Sequence, residues 1–207
     1  MAMKLNPSAV TLSLLLTLVP TMAAVAQNGP KIIVPVQQTP LDTSVRSIVV
    51  NPVPSTLKVN LNLNKGGQNP LYRVGEPIQI SLSTNEDAYV YLFSVEADGD
   101  VNLILPNRFT GGKEYLRAGE IRTFPSPGAR YQFTISPPYG QAQVVAVATK
   151  KPMDLDEIAS FKQGSGFADV KVKKSTLSGA VNRAIVVEEI PSNQWASSTV
   201  FYRVAAY

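Results

Sequence analysis

Asp98, Asp100 and Asn102 fall at alternate positions, and alternating oxygen donors in a tight loop are what calcium coordination uses. The pattern breaks twice, because Gly99 comes too early and Phe109 stands where a closing bidentate carboxylate belongs. The triplet therefore reads as a polar hairpin turn, with a weak oxygen-ligand metal site at Asp98 and Asp100 as the alternative. Lys171, Lys173, Lys174 and Arg183 form the densest basic group. Strand alternation would put Lys171 and Lys173 on one face, where they could meet phosphate or uronate on an anionic envelope glycan. A solvated edge that resists aggregation explains the same residues. Tyr139 and Trp195, near expected turns, are the candidates for stacking on sugar rings, since each pairs a flat apolar body with a polar tip. Tyr89, Tyr91 and Phe93 share that chemistry, but on a central strand they read as core.

For catalysis, only a carboxylate pair or a Ser-Lys dyad remains. Ser160 with Lys162, and Lys174 with Ser175, are adjacent by chance as readily as by design. No phosphate-binding loop, dinucleotide fingerprint or nucleophile elbow occurs. The chain contains no Cys, which closes disulfide, thiolate and zinc-thiolate chemistry and an N-terminal lipid-anchored Cys. It contains no His, which removes the usual general base near neutral pH and the commonest transition-metal ligand. No catalytic residue, cofactor or metal is expected, and the chain reads as a non-enzyme.

These residues need a scaffold, and 207 residues suffice for one sizeable core. With 44% hydrophobic and 16% charged residues, a folded body is expected over a disordered one. The net charge of +4 is too mild and too scattered for a nucleic-acid footprint. Lys4, the apolar run Val10–Val19 and the small-residue end Ala24-Val25-Ala26 make residues 1–26 a secretory signal peptide. The apolar run is too short to span a bilayer, so no transmembrane segment is expected in the mature chain. Export to the periplasm or cell envelope follows.

Residues 27–44 are Pro-rich and read as a flexible lead-in; residues 45–207 read as a single domain. Arg46 to Asn51 is expected as a first, edge strand, and Arg46, Ile48 and Val50 on it are candidate partner contacts through strand addition. Leu57, Val59, Leu61 and Leu63 then alternate with Lys58, Asn60, Asn62 and Asn64, the pattern of a half-buried antiparallel strand. Ile78, Ile80 and Leu82 repeat it. Between Ala88 and Val95 both alternating sets are apolar, so that strand must be covered on both faces and cannot be an edge. It turns at Asp98-Gly99 into Val101–Leu105.

Further strands are expected at Glu120–Phe124, Arg130–Ser136, Gln143–Thr149, near Val170 and Val172, and at Val200–Val204. A helix is expected over Leu155–Phe161, opened by Asp154 and Glu157 and stopped by Gly164 and Gly166. A second, capped by Ser175, should carry Leu177, Val181 and Ile185 on one stripe. The fold class is mainly β: a Greek-key or immunoglobulin-like β-sandwich with one or two short helices in the C-terminal third.

Gly75-Glu76 before a strand, the Tyr-Val-Tyr-Leu-Phe strand, Asp98-Gly99, Leu105-Pro106-Asn107, Ala118-Gly119-Glu120 and the turn from Pro137 to Gly140 together resemble the bacterial family catalogued as domain of unknown function 4384. The resemblance covers about Leu57 to Met153, and the continuation to Tyr207 is similar to secreted members from S-layer-bearing bacteria. It implies a β-sandwich accessory module and carries over no catalytic residue. The expected function is that of an exported, non-catalytic module that binds or braces an envelope protein or assembly, such as an S-layer or outer-membrane complex. A surface glycan-binding module is the alternative.

Overall fold

The computed structural model describes residues 46–111, 114–163 and 165–206. The expected leader and the lead-in, residues 1–44, lie outside them, as does Gly164. In chain order the strands are β1 (Val59–Leu63), β2 (Leu71–Arg73), β3 (Ile80–Thr84), β4 (Ala88–Val95), β5 (Val101–Leu105), β6 (Tyr115–Leu116), β7 (Ile121–Phe124), β8 (Gly140–Thr149), β9 (Ala159–Ser160), β10 (Asp169–Val170) and β11 (Trp195–Ala205). One α-helix, α1 (Lys174–Val187), precedes β11. The fold is mainly β with a single helix in the C-terminal third.

A three-stranded sheet has the order β1-β3-β7. A six-stranded sheet has the order β2-β11-β8-β4-β5, with β6 also paired to β4. The short strands β9 and β10 pair with each other. The alternation read in the sequence fixes which side of each strand is covered. In β1, Val59, Leu61 and Leu63 are buried while Asn60 and Asn62 are exposed.

β4 is buried on both sides, as its doubly apolar pattern requires. Ala88, Val90 and Leu92 share a core with Leu61, Leu82 and Phe124 of the smaller sheet. Tyr91, Phe93 and Val95 share another with Leu177, Val181 and Ile185 of α1. The helix follows its expected stripe, burying Leu177, Ala180, Val181, Ala184 and Ile185 at spacings of three and four.

Four expectations of local structure are corrected. Arg46–Asn51 is not an edge strand. It crosses above β11 on the helix side: Ser47 Oγ meets Thr199 Oγ1 at 2.6 Å, Ser197 Oγ donates to Val49 O at 2.8 Å and Asn51 Nδ2 donates to Trp195 O at 2.6 Å. Side chains of the sheet face hold it and bury Val49, so it forms a strap where a ladder was expected. Arg130–Ser136 is extended but forms only one bridge, Pro77 to Thr134.

The helix expected over Leu155–Phe161 is a single turn leading into β9. Asp154 Oδ1 accepts from Asp156 N at 2.8 Å, a local turn that competes with helix propagation. Ser175 does not cap α1; the helix begins after Lys173, whose amide donates to Thr176 Oγ1 at 3.2 Å.

The turn motifs act as structural punctuation. Arg73-Val74-Gly75-Glu76 and Arg117-Ala118-Gly119-Glu120 are the same turn twice. In each the Glu amide donates to the Arg carbonyl at 3.0 Å. Its carboxylate accepts from the Arg amide, at 3.0 Å in the first and 3.2 Å in the second. Both turns need a residue at φ of 90° and 75°, which glycine supplies without strain. Asn107 is fully buried, donates to Ile104 O at 2.6 Å and accepts from Thr110 N at 2.9 Å, closing the turn after β5.

Candidate functional site

The face of the large sheet that meets β1-β3-β7 is not covered to its end. Beyond Leu92 the same side of β4 carries Ser94, and one step past the strand Glu96. Asn102 of β5 and Tyr202 of β11 join them, and the segment from Gln132 to Ser136 roofs the space. The roof is tied to the chain before β3, with Ile78 N donating to Phe133 O at 3.1 Å and Ile135 N to Glu76 O at 2.9 Å. What results is a cleft of about 400 Å³. Its walls include Ile78, Ile80, Ala142, Val144 and Val204, with Phe133 and Phe167 among the aromatic residues. Clefts of this size suit small ligands or a single side chain.

Phe167 and Phe133 belong to a ring cluster with Phe109 and Tyr131, at centroid distances of 4.9–6.0 Å. Gly166 permits it, because a Cβ there would lie 2.0 Å from the Phe109 ring. The aromatic wall thus depends on a residue with no side chain.

Glu96 is half-buried and accepts a hydrogen bond of 2.9 Å from Asn102 Nδ2. Burial pushes its carboxyl above the ordinary 4.5, the Asp98 and Asp100 charges push the same way, and the Asn102 bond opposes them. Tyr202 is also raised, chiefly by burial, while its hydrogen bond with Ser94 opposes the rise. Among the described residues no basic side chain forms an ion pair with Glu96.

Elsewhere the expected site residues scatter. Arg46 is exposed, Val50 is 60% exposed and Ile48 packs against the core on the helix side. The basic group is engaged residue by residue. Lys173 pairs with Asp100, and Arg183 Nε pairs with Glu157 at 2.8 Å. Lys171 Nζ donates to Asp156 O at 2.7 Å, and the Lys174 amide to Gly99 O at 2.8 Å. β10 stops at Val170, so Lys171 and Lys173 do not share a strand face.

Trp195 is buried at 4% exposure, whereas Tyr139 is 56% exposed. The β8–β11 ladder runs from Trp195 opposite Thr149 to Val204 opposite Gly140. The two aromatics therefore stand at opposite ends, roughly 30 Å apart at the usual rise per residue, and form no common platform. At the hairpin turn Asp98 Oδ1 accepts from Asp100 N at 3.0 Å, and Lys173 already serves as the cation for Asp100. Among the described residues no three acidic side chains converge as metal ligands.

A second accessible feature is the outer edge of β11. Arg203 donates its amide outward to Pro70 O at 3.0 Å, so alternation points the backbone groups of Ser197, Thr199 and Phe201 outward as well. β2 covers only Arg203–Ala205, because its next rung would need an amide at Pro70, which has none. Among the described residues those three amides and three carbonyls have no backbone partner. Asn62, Leu63 and the turn from Gly66 to Asn69 border a groove of about 400 Å³ along Thr199, Val200 and Phe201.

Ser94, Glu96 and Tyr202 were not singled out in the sequence, although β4 held a signal. Its two stripes are apolar until Ser94 and Glu96, where one turns polar while Phe93 and Val95 continue the other.

A family model described as "Domain of unknown function (DUF4384)" matches residues 71–152. This supports the resemblance drawn from the turn motifs and the doubly apolar strand. The matched stretch begins at β2 and runs through β8, taking in Ser94, Glu96 and Asn102, while α1 and β11 lie beyond it. No curated protein and no solved structure matches the chain.

Proposed function

We propose that the protein is an exported, non-catalytic accessory module that binds another protein of the cell envelope by accepting an extended segment along the outer edge of β11. The carrying observation is that, among the described residues, the outward backbone groups of Ser197, Thr199 and Phe201 have no backbone partner, beside the groove lined by Asn62 and Gly66–Asn69. An added strand would satisfy those groups in register, which is how exposed sheet edges recruit peptides. The groove rim is built of amides, glycines and apolar side chains, so an uncharged, extended segment suits it. Export rests on the leader-like residues 1–26, and the strap of Arg46–Asn51 takes no part in pairing.

Proline at position 199 tests the edge. The Thr199 amide points away from β8, so Thr199→Pro removes an edge donor and leaves the β8 ladder intact. We expect the wild-type protein, solubilised from envelope fractions, to co-purify with a partner whose photo-crosslink from position 198 or 200 maps to an extended segment. Thr199→Pro should lose it while melting within a few degrees of wild type. A free monomer in the soluble fraction, or a partner retained by Thr199→Pro, would overturn the proposal.

A further inference from the structure

The cleft at Glu96 is independent of the β11 edge and has its own chemistry. Its single carboxylate sits at the end of an apolar passage between the layers. One amide, Asn102 Nδ2 at 2.9 Å, satisfies part of its acceptor capacity. An ionised carboxylate accepts about four hydrogen bonds, so most of that capacity is left for whatever enters. Neighbouring charges reinforce its sign: Asp98 and Asp100 raise its proton affinity, and among the described residues no positive group opposes them. Lys173, which lies beside the same hairpin turn, is committed to Asp100. The roof supplies no ionisable group from Gln132 to Ser136, and the β11 side supplies only the phenol of Tyr202.

A charge held this way selects its visitor. An anion would be repelled by three carboxylates. A purely apolar ligand would strip water from Glu96 without replacing it, a cost that uncompensated burial of charge imposes. A cation on an aliphatic stem meets both parts of the site, with its head at Glu96, Ser94 and Tyr202 and its stem along Ile80 and Val144. Phe133 and Phe167 line the same cleft, and an aromatic ring attracts a cation placed over its face.

We propose that this cleft binds an aliphatic ammonium group, with Glu96 as its counter-ion. The group has two sources, a free alkylamine or a lysine side chain presented by a peptide, and the two enter the same cleft with the same contacts.

The test is titration of the full-length processed protein with n-butylammonium, 1-butanol and butyrate, followed by NMR or calorimetry. A Gly-Lys-Gly peptide and its norleucine analogue form the second arm. Wild type is expected to bind n-butylammonium at least about ten-fold more tightly than 1-butanol, the discrimination a charge-assisted bond supplies, and butyrate not at all. Glu96→Gln should lose that preference while melting no lower than wild type. Tighter binding of the Lys peptide than of the amine would assign the side chain as the source, and the reverse would assign the free amine.

If Glu96→Gln is too unstable to use, wild-type affinity for n-butylammonium measured from pH 4 to pH 8 serves instead. It should fall as Glu96 becomes protonated, while 1-butanol binding stays flat. Equal binding of ammonium and alcohol, unchanged ammonium binding in Glu96→Gln, or no saturable binding of any probe would overturn the proposal. None of these outcomes bears on strand addition at β11.

Discussion

The two faces of the large sheet are built from the same strands but closed differently. On the helix side, α1, the strap through Val49 and the turn at Met153–Ile158 seal Phe93, Val145 and Val147 from water. On the other side β1-β3-β7 covers Val90, Leu92 and Ala146 but leaves Ser94, Glu96 and Tyr202 at an open end. A helix and irregular segments can follow the contours of a twisted sheet and fill its corners. A second, shorter sheet meets it well over only part of its length, and the mismatch becomes a cleft. The sealed face should serve stability and the open one binding.

The largest effect should separate these roles. Phe93→Ala, in the sealed core with no exposure, should cost about 3–5 kcal/mol in urea unfolding, and Ile80→Ala, beside the cleft, only about 2 kcal/mol, the low end for such truncations, because the site can relax into existing space. Equal costs would break the comparison.

Next comes Tyr91→Phe. The Tyr91 hydroxyl accepts from Met153 N at 2.5 Å inside the sealed face, and its loss should cost about 1–3 kcal/mol by stranding that amide. Burial pushes the Tyr91 phenol up to about 12. Between pH 10 and 12 the folded state therefore holds a proton that the unfolded state has released, and stability falls across that window. Tyr91→Phe should lack this part of the alkaline loss, as urea titrations at pH 9 and 11 would show.

A smaller effect sharpens the open face. Because the Glu96 carboxyl is raised above 4.5 in the folded state, its contribution makes stability fall as pH rises from 4.5 through the folded value. Glu96→Gln should match wild type below pH 4.5 and exceed it at pH 7, in paired urea melts. A variant less stable than wild type at pH 7 would show Glu96 to be a structural partner, and the open end to be part of the core after all.

The smallest effects belong to the exposed pairs. Lys173→Ala or Arg183→Ala should each shift the urea midpoint only slightly, and the shift should vanish at high salt. Larger shifts would mean that the basic residues help to hold the sealed face.

Strand periodicity was legible wherever one side of a strand is wet or both are dry. Val59 to Leu63 and Ala88 to Val95 could be assigned from the sequence because a period of two survives any detail of packing. The doubly apolar pattern also required cover on both faces of β4, which the structure supplies. The elements that went astray depend on partners distant in sequence. Arg46–Asn51 has β-branched residues suited to a strand, but the hydroxyls of Ser197 and Thr199 draw it over the face of β11. Asp154 and Glu157 mimic a helix start, but the chain must turn at once to pair Ala159 with Val170. Trp195 lies near a turn in the sequence and inside a core in space.

The amino-acid sequence by itself determined the closed chemistries, since a chain without Cys or His cannot regain them by folding. It also determined the central hairpin and the turn residues, because φ preference and alternation act within a few residues. Only the tertiary structure decided that Lys173 and Arg183 pair with acidic side chains, that Pro70 ends the pairing along the outer edge of β11 among the described residues, and that Ser94, Glu96 and Tyr202 meet in one cleft. Those outcomes depend on which surfaces face each other across chain separations from a few tens of residues to more than a hundred, and no local pattern records those distances.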